Sequence, residues 1–247
     1  MRTMKTILTG ILLVSLILLN ACKNDQETLE VLVITGTHDY NVAAFDTMFA
    51  SFEGMECSIK EMGEDPGSLF DNPETFPYDA IVMYNYRQNL SEKHQKNLLS
   101  LLDKGVGLTV VHHAIAGFPN WIEYEDIIGA TYVLEEQTRD SVFFPRPTWK
   151  HGVDMDIKVE DSEHPITDGI SDFRIHDETY KSWVYHDNNH LLLSTDHELS
   201  NHQIAWTHET DHSKAFYIQL GHDEHAFTNE QFQKILSRGI KWTAGQE

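Results

Sequence analysis

The run from Gly105 to Ala114, GVGLTVVHHA, constrains this chain more than any other stretch. Two glycines bracket a helix end, and Leu108, Thr109, Val110 and Val111 then form the β-branched run of a central strand covered on both faces. The strand stops on His112 and His113. In an open α/β sheet the ligand crevice lies outside the carboxyl ends of the strands, so both imidazoles stand where such folds do chemistry. The pattern recurs. Leu29 to Thr37 runs into His38 and Asp39, and Lys214 to Leu220 runs into Gly221, His222 and Asp223. The three strand exits are expected to converge on one polar site.

Strand and helix signals alternate through the first half. After the Leu29 strand, Asn41 is placed to cap a helix carrying Phe45, Met48, Phe49 and Phe52, closed by Gly54. Met55 to Met62 and Tyr78 to Tyr86 read as further strands joined by a loop rich in Pro and Gly. Ser91 caps a second helix, which Gly105 ends. This order predicts a flavodoxin-like α/β fold, a mostly parallel sheet with helices on both faces. The second half adds antiparallel character. Val153, Met155, Ile157 and Val159 alternate with polar residues, as in a half-buried antiparallel or edge strand. Asn120 to Ile128 reads as a helix, strands are expected at Leu191 to Leu193, His202 to Thr207 and Lys214 to Leu220, and Thr228 is placed to cap a final helix. Ahead of all this, residues 1–21 have the basic start and apolar run of a lipoprotein signal peptide, with Cys22 as the lipidated residue and 22–28 as a tether. The expected address is the bacterial cell envelope, periplasmic or outer-membrane, with membrane contact only through the lipid.

Charge removes one class of partner. The chain carries 39 acidic against 18 basic residues, a formal net charge of −21, which repels a phosphate backbone and argues against nucleic acid. With Cys22 lipidated only Cys57 remains, so no intrachain disulfide forms and Cys57 reads as a structural thiol. No G-x-S-x-G elbow, P-loop or G-x-G-x-x-G is present.

What remains is rich in groups that bind metals and move protons. Neutral imidazole is the commonest ligand of zinc and similar divalent ions, and His38, His112 and His222 each end an apolar strand. Each one singly also fits an imidazole satisfied by a backbone group. A second cluster, HPITDGISDFRIHDETY from His164 to Tyr180, holds Asp177 and Glu178 side by side in a strand-like run, so one of them should face inward as a ligand or a base. Tyr86, Trp121, Tyr124 and Trp206 are aromatic faces of the kind that stack on a sugar ring. Each of these also fits a core position.

Together GTHDYN, YDAIVMYNY, KGVGLTVVHHA, WIEYEDIIGA, HPITDGISDFRIHDETY, IAWTHE and YIQLGHDEHAF resemble the trehalose-utilisation (ThuA-like) family over about Leu29 to Thr243. The resemblance implies a domain over 29–245 with the class I glutamine amidotransferase-like fold. Where amidotransferases carry a nucleophilic Cys after the central strand, this chain has His113-Ala114, which puts glutaminase chemistry out of reach. The family is associated with disaccharide use through 3-keto-glycosides. Its polar positions fall on His38, Asp39, His112, His113, His164, Asp177, Glu178, Tyr180, His222 and Asp223. The leading expectation is a metal-assisted enzyme acting on a (3-keto-)glycoside or disaccharide by hydrolysis or elimination. In it His38, His112 and His222 bind metal; Asp177, Glu178, His164, Tyr180 and His113 do the chemistry; and Asp39, Tyr86, Trp121, Tyr124, Trp206 and Asp223 contact sugar. A lipid-anchored sugar-binding protein without turnover and a metal-free two-carboxylate glycoside hydrolase are the alternatives.

Overall fold

The computed structural model describes residues 28–139 and 141–246. The leader, Cys22 and nearly all of the tether lie outside them. The parallel core is laid down as β1 (Leu29–Gly36), α1 (Val42–Ala50), β2 (Met55–Glu61), β3 (Ala80–Asn85), α2 (Glu92–Asp103) and β4 (Gly107–Val111). Sequence pattern and structure agree here for identifiable reasons. Asn41 accepts from the Ala44 N–H and Ser91 from the His94 N–H, so both helices start where an N-cap oxygen takes up an orphan donor. β3 and β4 are buried at every position, as strands covered on both faces must be. Between β2 and β3 the chain makes two short 3-10 turns and no α-helix.

The second half follows as α3 (Ile122–Ile128), β5 (Ala130–Tyr132), β6 (Gln137–Arg139), β7 (Val142–Phe144), β8 (Thr148–Val159), β9 (Phe173–Lys181), β10 (Trp183–Tyr185), β11 (His190–Ser194), β12 (Gln203–Glu209), β13 (Lys214–Ile218), α4 (Glu224–Phe227) and α5 (Glu230–Thr243). Among the described residues one nine-stranded sheet has the order β2-β1-β3-β4-β13-β12-β11-β8-β9. Its first five strands pair in parallel, giving the flavodoxin-like order with its topological switch between β1 and β3. The remaining pairings are antiparallel. Two apolar clusters fill the faces, one under α1, α4 and α5, the other under α2 and α3.

The alternating strand β8 is antiparallel, as expected, and lies between β11 and the edge strand β9. Two details differ from expectation. Asn229, not Thr228, caps the final helix, accepting from the Gln231 and Phe232 N–H groups, while Thr228 closes the short α4. The α3 helix starts at Ile122, with Trp121 as a cap that makes no side-chain bond. One feature of the β8–β9 arm sets up the site. β8 pairs with β11 only at Val159 and Lys158, so the rest of the arm peels away and carries the end of β9 over the exits of the parallel strands.

Helix α5 packs tightly on β13 at Gly239, where an added Cβ would stand 2.1 Å from the Phe216 ring. Alanine is the better helix former by about 1 kcal/mol, but the buried ring has nowhere to go, and overpacking costs about 1–3 kcal/mol. Gly239→Ala is therefore expected to lower stability in urea unfolding; a gain would show that the ring moves aside freely.

Candidate metal centre at the strand exits

The backbone bends sharply where the parallel strands end. Thr37, Arg87 and His112, one residue or two beyond β1, β3 and β4, adopt left-handed φ values of +59°, +50° and +57°. Non-glycine residues hold that conformation at a cost of about 1–2 kcal/mol each, and such strain persists where surroundings over-determine it. At His112 those surroundings are visible. Its Nδ1–H donates to the Gln219 carbonyl at 2.6 Å and its own carbonyl accepts from the Tyr217 hydroxyl at 3.1 Å. A carbonyl can only accept, so the proton of the neutral ring sits on Nδ1 and Nε2 presents a lone pair.

Three donor atoms meet there. His112 Nε2 lies 3.0 Å from Glu178 Oε2 and 3.3 Å from His222 Nδ1, and His222 Nδ1 lies 3.2 Å from Glu178 Oε2. Among the described residues these form the one group of three that could hold a metal ion. The donor set fits a divalent ion of the zinc type. Two imidazoles and a carboxylate bonded at 2.0–2.1 Å in tetrahedral geometry would stand about 3.3 Å apart, and three protein ligands leave the fourth position open, as in catalytic sites. The Gln219 carbonyl supplies the outer partner that fixes a ligating histidine's tautomer. In the metal-free state the crowding needs a shared proton, because a bare Nε2 lone pair faces a carboxylate oxygen.

The two acidic neighbours do different things. Glu178 is 2 % exposed. Burial opposes its charge, but its contacts with His112, through the shared proton, and with His222 and the Tyr180 hydroxyl outweigh burial and hold the carboxyl below the ordinary carboxylate range. Asp177 is fully enclosed. Its Oδ1 accepts from the N–H groups of Glu178 (2.8 Å) and His222 (2.9 Å), and its Oδ2 from the Gly221 N–H (2.7 Å). It fixes the chain at the β13 exit and thereby aims His222; burial nonetheless raises its pKa. The Tyr180 hydroxyl lies 2.8 Å from His112 Nε2. Its pKa is pushed well up by burial and by Glu178, so it stays protonated.

The exits of β1, β4 and β13 therefore do converge, with a rearranged membership. His38 lies outside the three-atom cluster. Its Nδ1–H donates to the Asp39 carbonyl at 2.8 Å, its ring stacks on His113 at 4.1 Å, and Glu178 occupies the place expected for it. Burial lowers the His38 pKa. His113 follows His112 in the 3-10 turn after β4, and its ring stands edge-on to that of His112 at 5.2 Å. Its Nε2–H donates to the Tyr84 carbonyl at 3.1 Å, and burial holds it neutral. Tyr86 stands edge-on to both His38 and His113 and lines a cavity of about 350 Å³ shared with Glu178 and Tyr180.

Several expected residues lie elsewhere. His164 packs on Trp242 and His190 beyond the far end of β8, roughly 25 Å of strand from the site. Trp206 is fully buried and donates to the Ile128 carbonyl at 2.8 Å, and the buried Tyr124 donates to the Ala114 carbonyl at 2.9 Å. Both are core residues whose polar tips satisfy loop carbonyls. Trp121 is buried against Tyr124 beside a neighbouring cleft. Asp223 caps α4 through the His225 N–H, and the Asp39 side chain is exposed. Cys57, half-buried on β2, is raised to about 11 by burial.

One member was missed. His151 Nδ1 lies 2.9 Å from His222 Nε2 and 3.2 Å from Glu178 Oε1. It shares the parity of the inward Val153 and Met155, but Gly152, with φ +66°, sits in a bulge that breaks the alternation. Carrying the strand pattern back across that glycine would have found it.

Fold and site together define a flavodoxin-like α/β protein whose strand-end turn bears histidines. The trehalose utilisation family, ThuA, matches residues 30–243, and the chain belongs to it. Similar solved structures include a ThuA-like protein from Parabacteroides merdae (19 % identity, 89 % of this chain and 91 % of that one, TM-score 0.75). A ThuA-like protein from Bacteroides uniformis is also similar (17 %, 91 % and 94 %, 0.66). So is a glutamine amidotransferase from Thermotoga maritima (9 %, 88 % and 99 %, 0.50). Among curated proteins the sequence finds no match.

The cluster has a pH signature in the metal-free protein. Glu178 is depressed from 4.5, so its contribution is complete above that value and lost as pH falls. For His222, burial lowers the pKa but Glu178 and the Asp177 and Asp223 charges outweigh it, raising it from 6.5; its contribution is complete below 6.5 and lost as pH rises through the raised value. Urea unfolding with a chelator should show the pair's full stabilisation between about pH 4.5 and 6.5, and His222→Gln should flatten the alkaline fall. An identical fall in the variant would place its origin elsewhere.

Proposed function

We propose that the protein is a metal-assisted enzyme of carbohydrate breakdown, acting on a glycoside or disaccharide at the glycosidic bond, with a 3-keto-glycoside as the favoured form. The observation that carries this reading is the meeting of His112, Glu178 and His222 directly behind a ligand-sized cavity, whose wall Glu178 itself lines. The trehalose-utilisation family match supports the substrate class.

In this proposal His112 Nε2, Glu178 and His222 Nδ1 hold a divalent ion, zinc or similar. When bound, it supplies Lewis-acid polarisation of a sugar oxygen. A carbonyl at C3 acidifies the adjoining C–H, so a positioned base can start elimination of the glycosidic oxygen; hydrolysis is the other course. His38 is the base best placed for this. Its Nδ1–H is committed to Asp39, its pKa is low, and its Nε2 is left to accept a proton at the cavity wall. Tyr180 keeps its proton and orients a sugar oxygen or returns a proton to the leaving group. Tyr86 provides the aromatic wall. Asp177 and His113 are positioning residues, the first through the backbone of His222, the second through the stack under His38. Cys22 lipidation at the cell envelope completes the reading and is supported by the lipobox-like sequence alone.

His112→Ala and His222→Ala should each reduce bound metal at least tenfold, measured by elemental analysis of protein purified without an affinity-tag metal. Both should abolish turnover of 3-keto-glycosides, as should a chelator. His38→Gln should keep the metal and lose about 10²-fold or more in kcat. Turnover untouched by chelator and by His222→Ala would overturn the metal-assisted reading in favour of two-carboxylate hydrolysis. Tight sugar binding with no product would leave a binding protein.

A further inference from the structure

We propose that the cavity takes a carbohydrate bearing an oxyanion, a carboxylate as in a uronic acid or a sulfate or phosphate ester, and that Arg87 and Arg146 hold that group. This rests on the carbohydrate reading above and narrows its substrate class. On so acidic a chain, arginines find carboxylates easily. Five arginines lie among the described residues. Arg139 is bidentate on Glu125 at 2.8 and 3.1 Å, Arg174 meets Asp154 and Asp156, and Arg238 donates to the Asp168 carbonyl. Arg87 and Arg146 make no ion pair or hydrogen bond through their guanidinium groups, and these two are the arginines that line the cavity with Glu178 and Tyr180. The fold has kept its acidic surface clear of both.

Position supports the same conclusion. Arg87 follows β3 at the β1/β3 switch, where doubly wound sheets bind ligands. It is held there in left-handed backbone, its N–H donating to the Ala116 carbonyl at 3.1 Å, and its guanidinium lies over the Tyr86 ring at 5.9 Å. Strain of this kind is retained where a side chain must be aimed, and the face of an aromatic ring steadies a cation. Arg146 enters from the loop before β8, so the two guanidinium groups reach the cavity from different segments. The carboxylate in the same wall is already engaged by His112 and His222, and the two guanidinium groups give an incoming anion fixed positive charge. Planar guanidinium forks suit carboxylate, sulfate and phosphate alike. Arg87, Tyr132 and Leu134 also border an adjoining cleft of about 620 Å³, which leaves room for a second sugar residue beyond the charged one.

The test is calorimetric titration of the full-length protein with methyl glucuronide, glucose 6-sulfate and glucose 6-phosphate, each against the neutral methyl glucoside, at two salt concentrations. At least one charged sugar should bind about tenfold tighter than the neutral one or better, with the advantage shrinking at high salt; which one leads identifies the oxyanion. Arg87→Gln and Arg146→Gln should each erase most of that advantage while leaving metal content and thermal midpoint unchanged, since both side chains are exposed and make no ion pair. Equal affinity for charged and neutral sugars, or a preference that survives in both variants, overturns the arginine assignment and leaves the carbohydrate reading standing. Failure of every sugar to bind removes the carbohydrate reading itself.

Discussion

A carboxylate taken out of water costs several kcal/mol unless its charge is met, and the site is organised around meeting the charge of Glu178. Two imidazoles from different strand exits close on it, a tyrosine hydroxyl stands beside them, and His151 covers the solvent side. Each of those groups is itself held. His112 is fixed by the Gln219 carbonyl and by a left-handed turn, and His222 by a backbone that Asp177 ties down. Removal of any one of these supports leaves the charge less well met, so the strained turns and the enclosed Asp177 are consequences of the same requirement.

The site is assembled from two kinds of sheet. The parallel core delivers His38, His112 and His222 at the carboxyl ends of its strands, where α/β folds present their loops. The antiparallel arm delivers Glu178, Tyr180 and His151, which reach the core because β8 leaves β11 after two paired residues. A flavodoxin-like sheet alone would hold the imidazoles without the carboxylate between them, and the appended arm is what adds the third donor to a group that could hold a metal ion.

Much of this was legible in the sequence, and the exceptions have physical causes. Apolar runs ending in histidine marked the parallel strands and the convergence of their exits, because strand burial and strand-end function leave a local imprint. The inward carboxylate was legible for the same reason. His164 lies far from the site although only twelve residues of chain separate it from Asp177, because they include the return from the far end of a long strand. Trp206 and Tyr124 were read as sugar platforms when their N–H and O–H groups serve loop carbonyls in the core, and no one-dimensional pattern separates those two uses. His38 sits at the right exit with its ring turned to His113, an orientation decided by packing. His151 was hidden by a bulge, and Arg87 and Arg146 by irregular loops without a period.

The central claim is that His112, Glu178 and His222 form one metal-binding centre. Its most direct measurement is a crystal structure of zinc-loaded protein with anomalous data collected on either side of the zinc edge. A single strong peak in contact with His112 Nε2, Glu178 and His222 Nδ1, with the fourth position facing the cavity lined by Tyr86 and Tyr180, is the predicted result. An ion bound elsewhere, or no peak between these three side chains at saturating zinc, would contradict it.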